Sequence, residues 1–132
     1  MIEHQWESHG LVRKHKGVAN LREIAQSDAN VQADPRFDEV HYIIDDFSDC
    51  ANVLDFDMSY VDELAAIASA AVRYPSLFRH AVVAKSPVAK KLADDFVNSE
   101  LFDYPVRKFE QMREARRWVE AWDQVPAAGN QE

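Results

Sequence analysis

Short apolar runs alternate with amphipathic stretches along this chain, and the alternation predicts most of its secondary structure. Two strand-like runs, 2–7 and 11–15, flank residues 8–10, whose Ser-His-Gly composition is typical of a hairpin turn. We therefore predict an antiparallel hairpin that ends at Gly17. Two further runs, 40–44 and 80–84, are rich in β-branched and other apolar residues and predict buried strands, and a third run, 106–109, predicts the final strand.

Helical spacing of apolar residues fills the segments between these strands. Three polar residues precede such stretches and predict helix caps: Asn20, with Glu23 completing a capping box, Ser59 and Ser86. The first helix is expected over about 20–32, because the residue before Pro35 avoids the α conformation. The third helix is expected to end near Leu101. The fourth carries its apolar stripe on Met112, Ala115, Val119 and Trp122.

The predicted order of elements is β-β-α-β-α-β-α-β-α. Strands joined through helices favour right-handed crossovers and parallel pairing, with the hairpin adding an antiparallel edge. The fold class is therefore α/β, with a single-layer, mixed and mainly parallel sheet of about five strands and four helices. We assign residues 1–125 to one domain and 126–132 to a flexible C-terminal tail.

The composition is that of an ordinary globular domain. The chain has 132 residues, of which 47% are hydrophobic and 29% charged, enough for a core without disulfides or metals as staples. Cys50 is the only cysteine, which excludes an intramolecular disulfide and a cysteine-rich zinc site. No apolar run has the length of a membrane span or a signal peptide, so we expect a cytoplasmic protein without stable membrane insertion.

The negative charge is concentrated in one quarter of the sequence. Residues 34–63 hold ten acidic residues and one arginine, whereas the remaining residues have a net charge of +1. This segment repels nucleic acid and favours a protein partner with a basic surface. The basic groups at 13–16 and at 113–117 lack interleaved aromatic residues and are interpreted as solvated faces.

An acidic loop, 45–57, follows the central strand. The carboxyl ends of parallel strands face the crevice in which α/β proteins bind ligands. Carboxylates there suit a divalent cation, but the spacing of a calcium loop is absent, and we predict helix-capping or solvated aspartates, with no metal and no cofactor. The predicted partner-binding residues are Asp45, Asp46, Ser48, Asp49, Asp55 and Asp57.

Other candidate groups have simpler interpretations. We interpret Cys50 as a buried or inert thiol, because nearby aspartates raise the pKa of a thiol. Trp118 and Trp122 lie one helical turn apart, which leaves two alternatives open: contact with a partner or second subunit, as in a homodimer, or packing against Trp6. The histidines are interpreted as surface or edge-strand residues: His4, His9, His15, His41 and His80.

Several short segments follow one another along most of the chain: Gly17, 34–37, 43–45, 80–84 with Ser86, 106–109 and 115–118. In this order and spacing they resemble the SpoIIAA-like family of small bacterial proteins. The fold of that family is related to STAS domains and is also grouped with Sec14-type lipid-binding folds. The resemblance implies a non-enzymatic regulatory or protein-interaction domain.

The resemblance also concerns Ser59. STAS anti-sigma antagonists carry a phosphoacceptor serine in an Asp-Ser-Ser-Gly context at the start of the corresponding helix. The nearest match here is Asp57-Met58-Ser59-Tyr60, in which Met58 and Tyr60 depart from the pattern. Ser59 is therefore assigned as a helix cap, with phosphorylation as the alternative.

Two other functions are compatible with this fold. A small-ligand or lipid-binding domain of the Sec14 type requires an apolar cavity between the second and third helices and the sheet, and the alanine-rich second helix argues against one. A metal-dependent, phosphatase-like enzyme lacks a recognisable set of nucleophile, base and orienting group. The leading prediction is a non-enzymatic domain that binds a partner near the acidic loop.

Overall fold

Strands and helices alternate along the computed structural model, which describes residues 1–54 and 58–123, without the side chains of 58–60. Within these residues the strands are β1 (Ile2–Trp6), β2 (Gly10–His15), β3 (Gly17–Asn20), β4 (Tyr42–Asp46), β5 (Cys50–Leu54), β6 (Arg79–Val83) and β7 (Val106–Phe109). The α-helices are α1 (Leu21–Ala33), α2 (Met58–Ala71), α3 (Pro87–Asn98) and α4 (Met112–Val119). The predicted tail, 126–132, lies outside the described residues.

The main sheet has five strands in the order β1-β2-β4-β6-β7. β1 is antiparallel to β2, and the other neighbours pair in parallel. Each pair of parallel neighbours in this sheet is connected through an α-helix, because parallel strands need a long crossover connection. The predicted mixed, mainly parallel sheet with an antiparallel edge is therefore confirmed.

A second, two-stranded sheet lies where the sequence predicted only a loop. β5 occupies part of the acidic loop, 45–57, and pairs in parallel with β3, which follows the hairpin directly. Gly17 has a φ angle of 73°, which a residue with a side chain rarely adopts, and the chain changes direction there. Both strands are short and largely exposed, so their composition alone gives little strand signal.

Helices cover both faces of the main sheet, and each face has its own core. On one face, α1, α2 and α3 contribute large buried residues: Leu21, Ile24, Leu64, Leu92 and Phe96. On the other face, α4 packs Ala115 and Val119 against Val12, Ile44 and Val83. The central strand β4 is covered on both sides, which explains why its sequence shows no alternation of apolar and polar residues.

The hairpin holds α4 against the sheet through a polar contact. Glu7 accepts hydrogen bonds from the Tyr42 hydroxyl (2.5 Å) and from both terminal nitrogens of Arg116 (3.0 and 2.5 Å). Beneath the Tyr42 ring lies Gly10, where an added Cβ would overlap the ring. A side chain at Gly10 would therefore displace Tyr42 and weaken the docking of α4.

The predicted helix caps agree with the structure where their side chains are described. Asn20 Oδ1 accepts a hydrogen bond from the backbone N–H of Arg22 (2.7 Å), and Ser86 Oγ accepts one from Ala89 (3.1 Å). Glu23, the expected second member of the capping box, lies 3.5 Å from the N-terminal amine. α3 ends at Asn98, three residues before the predicted end.

The cap at Ser86 gives a test of this arrangement. Ser86→Ala removes the acceptor for Ala89 N–H, and we expect the free energy of unfolding to fall by about 0.5–2 kcal/mol. Urea denaturation followed by circular dichroism measures this loss. Ser76→Ala, at an exposed serine, is the control and should change stability by less than about 0.5 kcal/mol. Equal stability of Ser86→Ala and wild type would contradict the cap.

Candidate functional site

The turn between β4 and β5 presents the described part of the predicted partner surface. The Asp46 carboxylate accepts hydrogen bonds from Ser48, through its backbone N–H (2.9 Å) and its hydroxyl (2.6 Å). Asp49 is exposed, and Asp46 and Ser48 are partly so. Asp55, Asp57 and the side chain of Ser59 lie outside the described residues, and the helical backbone of α2 begins at Met58.

Phe47 anchors this turn in the domain. Its side chain is almost fully buried, its backbone N–H donates to Val83 O of β6 (2.8 Å), and its carbonyl accepts from Cys50 N–H (3.0 Å). The residues on either side therefore point outwards on a short, fixed loop. Carboxylates presented in this way need little reordering when a partner with basic side chains binds.

Asp45, which we predicted to belong to this surface, lies inside the domain. Successive side chains of a strand point to opposite faces, so Asp45 and Asp46 cannot both face one partner. The Asp45 side chain is 7% exposed. Its two oxygens accept hydrogen bonds from Arg13, one from Nε (2.7 Å) and one from Nη2 (2.9 Å), in a bidentate pair.

Two histidines complete the coordination of this carboxylate. His15 Nε2 lies 2.8 Å from Asp45 Oδ1, and His80 Nε2 lies 2.6 Å from Oδ2. Arg13 also reaches Asp28 on α1, at 2.5 Å. We call Arg13, His15, Asp28, Asp45 and His80 the Asp45 cluster; it connects β2, β4, β6 and α1.

The cluster corrects two interpretations made from the sequence. His15 and His80 are buried, so the prediction of surface or edge-strand histidines is wrong for them. Arg13 is also buried, so 13–16 is not wholly a solvated face. A signal was present: Arg13 and His15 share the face of β2 that carries the apolar Leu11, and charged residues on such a face need a buried partner.

The electrostatics of the cluster favour the ionised carboxylate. Burial on its own would raise the pKa of Asp45, but the Arg13 charge and the hydrogen bonds of His15 and His80 outweigh it and hold that pKa well below its usual range. A buried charge is tolerated because its hydrogen-bonding capacity is filled. The same saturation leaves no carboxylate oxygen open for a metal ion.

The rings of the two histidines are enclosed by aromatic side chains. His15 stacks on Phe47, with ring centroids 4.0 Å apart, and His80 lies among Phe96, Phe102 and Tyr104. Among the described side chains, Nδ1 of each histidine is buried without a hydrogen-bond partner. In the same described part of the chain, no three His, Cys, Asp or Glu side chains are placed to hold a metal ion.

A small cavity lies between the Asp45 cluster and the helices, where the lipid-binding alternative would place its ligand. Its volume is about 30 Å³, and its lining combines Arg13, Asp45 and His80 with Phe102 and Tyr104. Such a volume accommodates one or two water molecules. Pockets for drug-sized ligands measure roughly 300–1,000 Å³, so this cavity does not fit a lipid.

The remaining candidates have clear positions. Cys50 is a buried free thiol whose Sγ lies 3.1 Å from Asn52 O. Trp122 stacks on His41, with ring centroids 3.8 Å apart, whereas Trp6 lies under the Arg36 guanidinium, at 4.2 Å. Trp122 therefore meets the hairpin at His9 of its turn, with ring centroids 5.5 Å apart, and among the described residues it makes no ring contact with Trp6.

No protein-family model matches the chain, and no curated protein matches its sequence at a significant level. Solved structures match its architecture. The anti-sigma factor antagonist SpoIIAA in its unphosphorylated form is 15% identical, with a TM-score of 0.59 over 91% of this chain and 98% of that one. The Bacillus cell fate determinant SpoIIAA in its phosphorylated form is 16% identical, with a TM-score of 0.57 over 90% and 99%.

A third match is a protein from Shewanella loihica PV-4 of the DUF3478 family, described as having a SpoIIAA-like fold. It is 14% identical, with a TM-score of 0.52 over 90% of this chain and 92% of that one. At these identities the likeness is one of fold. The chain therefore has a SpoIIAA-like, STAS-related α/β fold, as the sequence resemblance implied. None of the helices in the described residues is long and apolar enough to cross a bilayer.

The Asp45 cluster predicts how stability depends on pH. The pKa of Asp45 is lower in the folded protein than its ordinary value of 3.8, so the ionised carboxylate stabilises the fold at pH values above 3.8. This contribution is lost as the pH falls below 3.8 and the carboxylate becomes protonated. Asp45→Asn should therefore flatten the acid side of the stability profile. It also leaves Arg13 without its main partner, and we expect a loss of about 3–5 kcal/mol at neutral pH.

Denaturant unfolding between pH 2 and 7 measures both effects. Asp49→Asn, at an exposed residue of the neighbouring turn, is the matched control and should stay within about 0.5 kcal/mol of wild type. Equal losses for the two variants would show that the buried pair has no special role.

Proposed function

We propose that this chain is a non-enzymatic regulatory domain of the cytoplasm, which binds a protein partner with a basic surface through the turn after β4 and the acidic segment up to Asp57. The observation that carries the proposal is the arrangement of the turn. Phe47 is buried, while Asp46, Ser48 and Asp49 are at least partly exposed.

The charge balance of the segment supports this surface. Residues 45–57 contain five aspartates and no lysine or arginine. Arg13 neutralises Asp45 inside the domain, so the negative charge available to a partner comes from the other four. Unbalanced surface charge of one sign steers a partner of opposite sign and raises its rate of association.

The fold also supports a regulatory role. SpoIIAA, with which the chain shares its fold, is described as an anti-sigma factor antagonist, an activity directed at another protein. A fold can serve unrelated functions, so the site has to carry the argument. The turn after β4 offers exposed carboxylates for binding. Asp45, the carboxylate that lies beside two histidines, is buried and already paired with Arg13, which argues against a role in acid–base catalysis.

The partner surface is tested through association kinetics. The chain is first used to capture a partner from its native host, which is identified by mass spectrometry and purified. We expect Asp49→Asn/Asp55→Asn to slow association with that partner and to flatten the dependence of the rate on salt, because two charges are removed from the steering surface. The free energy of unfolding of this double variant should stay within about 0.5 kcal/mol of wild type.

The matched control removes two exposed carboxylates elsewhere. Glu100→Gln/Glu114→Gln makes the same change in net charge at sites outside the turn. It should leave the association rate close to that of wild type. An unchanged rate for Asp49→Asn/Asp55→Asn at low salt, or an equal effect of both double variants, would exclude the acidic segment as the binding surface.

Ser59 is proposed as a helix cap, with phosphorylation as the alternative. The helical backbone of α2 begins at Met58, so Ser59 lies in the first turn of this helix, and assignments of helix ends differ by one or two residues. A phosphate there would be favoured by the helix dipole but opposed by Asp57, Asp62 and Glu63 close in sequence. SpoIIAA itself has been solved in a phosphorylated form.

The two roles of Ser59 predict different results. As a cap, Ser59→Ala should lower the free energy of unfolding by about 0.5–2 kcal/mol, whereas Ser59→Asp keeps a capping oxygen and should preserve stability. Denaturant unfolding of both variants measures this difference. Phosphate on Ser59 in protein isolated from the native host, detected by mass spectrometry, would establish the regulatory alternative.

A further inference from the structure

A second exposed surface lies at the other end of the sheet from the turn between β4 and β5, which we call the acidic turn. Arg79 is the first residue of β6, and Arg107 is the second residue of β7. Because these strands are parallel, their amino ends share one edge of the sheet. With Trp118 in the last turn of α4 and Trp122 just beyond the end of that helix, the two arginines line an open groove of about 520 Å³, which we call the arginine–indole groove.

Both guanidinium groups of the groove are held against one indole ring. The Cζ atoms of Arg79 and Arg107 lie 5.3 and 5.4 Å from the centroid of the Trp118 ring. Arg79 Nη1 also donates a hydrogen bond to Trp118 O, at 2.6 Å. A guanidinium that packs on an aromatic ring keeps further N–H donors in its plane for an oxyanion. The two cations are thus positioned in advance.

Among the described residues, no ion pair neutralises the positive charge of the groove. Three other arginines, Arg13, Arg36 and Arg116, lie within 2.5–2.8 Å of a carboxylate. Neither Arg79 nor Arg107 has a carboxylate within 4 Å among residues 1–54 and 58–123. Burial and the neighbouring Arg107 charge both lower the pKa of Arg79, and Asp123 offsets this in part.

Two like charges placed together in a chain of net charge −8 favour an anionic ligand. Carboxylate groups match the guanidinium fork and accept two hydrogen bonds from it. Tryptophan and arginine are also the residues that most often dominate the affinity of protein interfaces. Val106 and Trp122 add an apolar wall for the side chain beside such a carboxylate.

The aromatic rings of the groove argue against nucleic acid. Base stacking requires an open ring face. The Trp118 ring is already contacted by both guanidiniums and by Phe109, and one face of Trp122 is covered by His41. These contacts hold the arginines in place. The groups of the groove that remain available to a ligand are mainly the guanidinium N–H donors of Arg79 and Arg107.

We propose that the arginine–indole groove binds an acidic peptide segment of a partner protein, with its carboxylates on Arg79 and Arg107 and an apolar side chain against Val106 and Trp122. This surface is separate from the acidic turn, which lies at the carboxyl end of β4. Binding at the groove therefore does not depend on binding at the turn.

The test is a nuclear magnetic resonance titration of the full chain at low salt. The probe is a blocked peptide of four glutamates around one leucine, and the control peptide carries glutamine in place of glutamate. We expect the glutamate peptide to shift the indole N–H signals of Trp118 and Trp122. The signal of Trp6, which lies under Arg36, serves as the internal control and should stay in place.

Variants assign the effect to the guanidiniums. Arg107→Glu changes an exposed residue whose described contact is with Trp118, so the fold should be preserved, and we expect the Kd for the glutamate peptide to rise by about tenfold or more. Arg113→Gln removes an exposed arginine at the other end of α4 and should leave the Kd close to that of wild type.

Four results would overturn the proposal. They are the absence of shifts with the glutamate peptide, equal binding of the glutamine peptide, equal weakening by both variants, and tighter binding of a short single-stranded RNA. Shifts of Trp118 and Trp122 that depend on protein concentration without peptide would assign the groove to a second copy of the chain instead.

Discussion

The buried pair of Asp45 and Arg13 is the interaction on which the rest of the structure depends. One carboxylate on the central strand accepts hydrogen bonds from a guanidinium and two imidazoles, supplied by the strands on either side. Arg13 extends the same network to Asp28 on α1. Removing these groups from water is costly, and each is tolerated only because the others are in place. The cluster therefore links the alignment of three strands to the position of a helix.

The exposed turn follows from this internal constraint. Because side chains alternate along a strand, a buried Asp45 directs Asp46 to the opposite side, and Phe47 again enters the core. Ser48 and Asp49 are then left on the surface between two buried residues, Phe47 and Cys50. The described part of the proposed partner surface, the turn between β4 and β5, is thus a short loop with both ends fixed in the core.

The two proposed binding surfaces lie at opposite ends of the sheet and have opposite charge. Tyr42 pairs with Arg79, and Asp46 lies four residues further along β4, about 13 Å away at ~3.3 Å per residue. Asp46 and Asp49 belong to one surface, and Arg79 and Arg107 to the other. A partner with both basic and acidic segments could contact the two surfaces at once, and affinity would then gain from the second contact without any change in the domain.

The sequence by itself determined the hairpin, the central strands, the caps at Asn20 and Ser86 and the mainly parallel sheet. Each of these depends on residues close together along the chain, or on the general rule for strands joined through helices. The small β3–β5 sheet, the inward position of Asp45 and the meeting of Arg79, Arg107 and Trp118 were decided only by the tertiary structure. Their partners are about 10 to 40 residues apart in sequence, and a shift of one residue in strand register would turn each strand side chain to the other face. That register depends on packing of the whole domain, which local patterns do not contain.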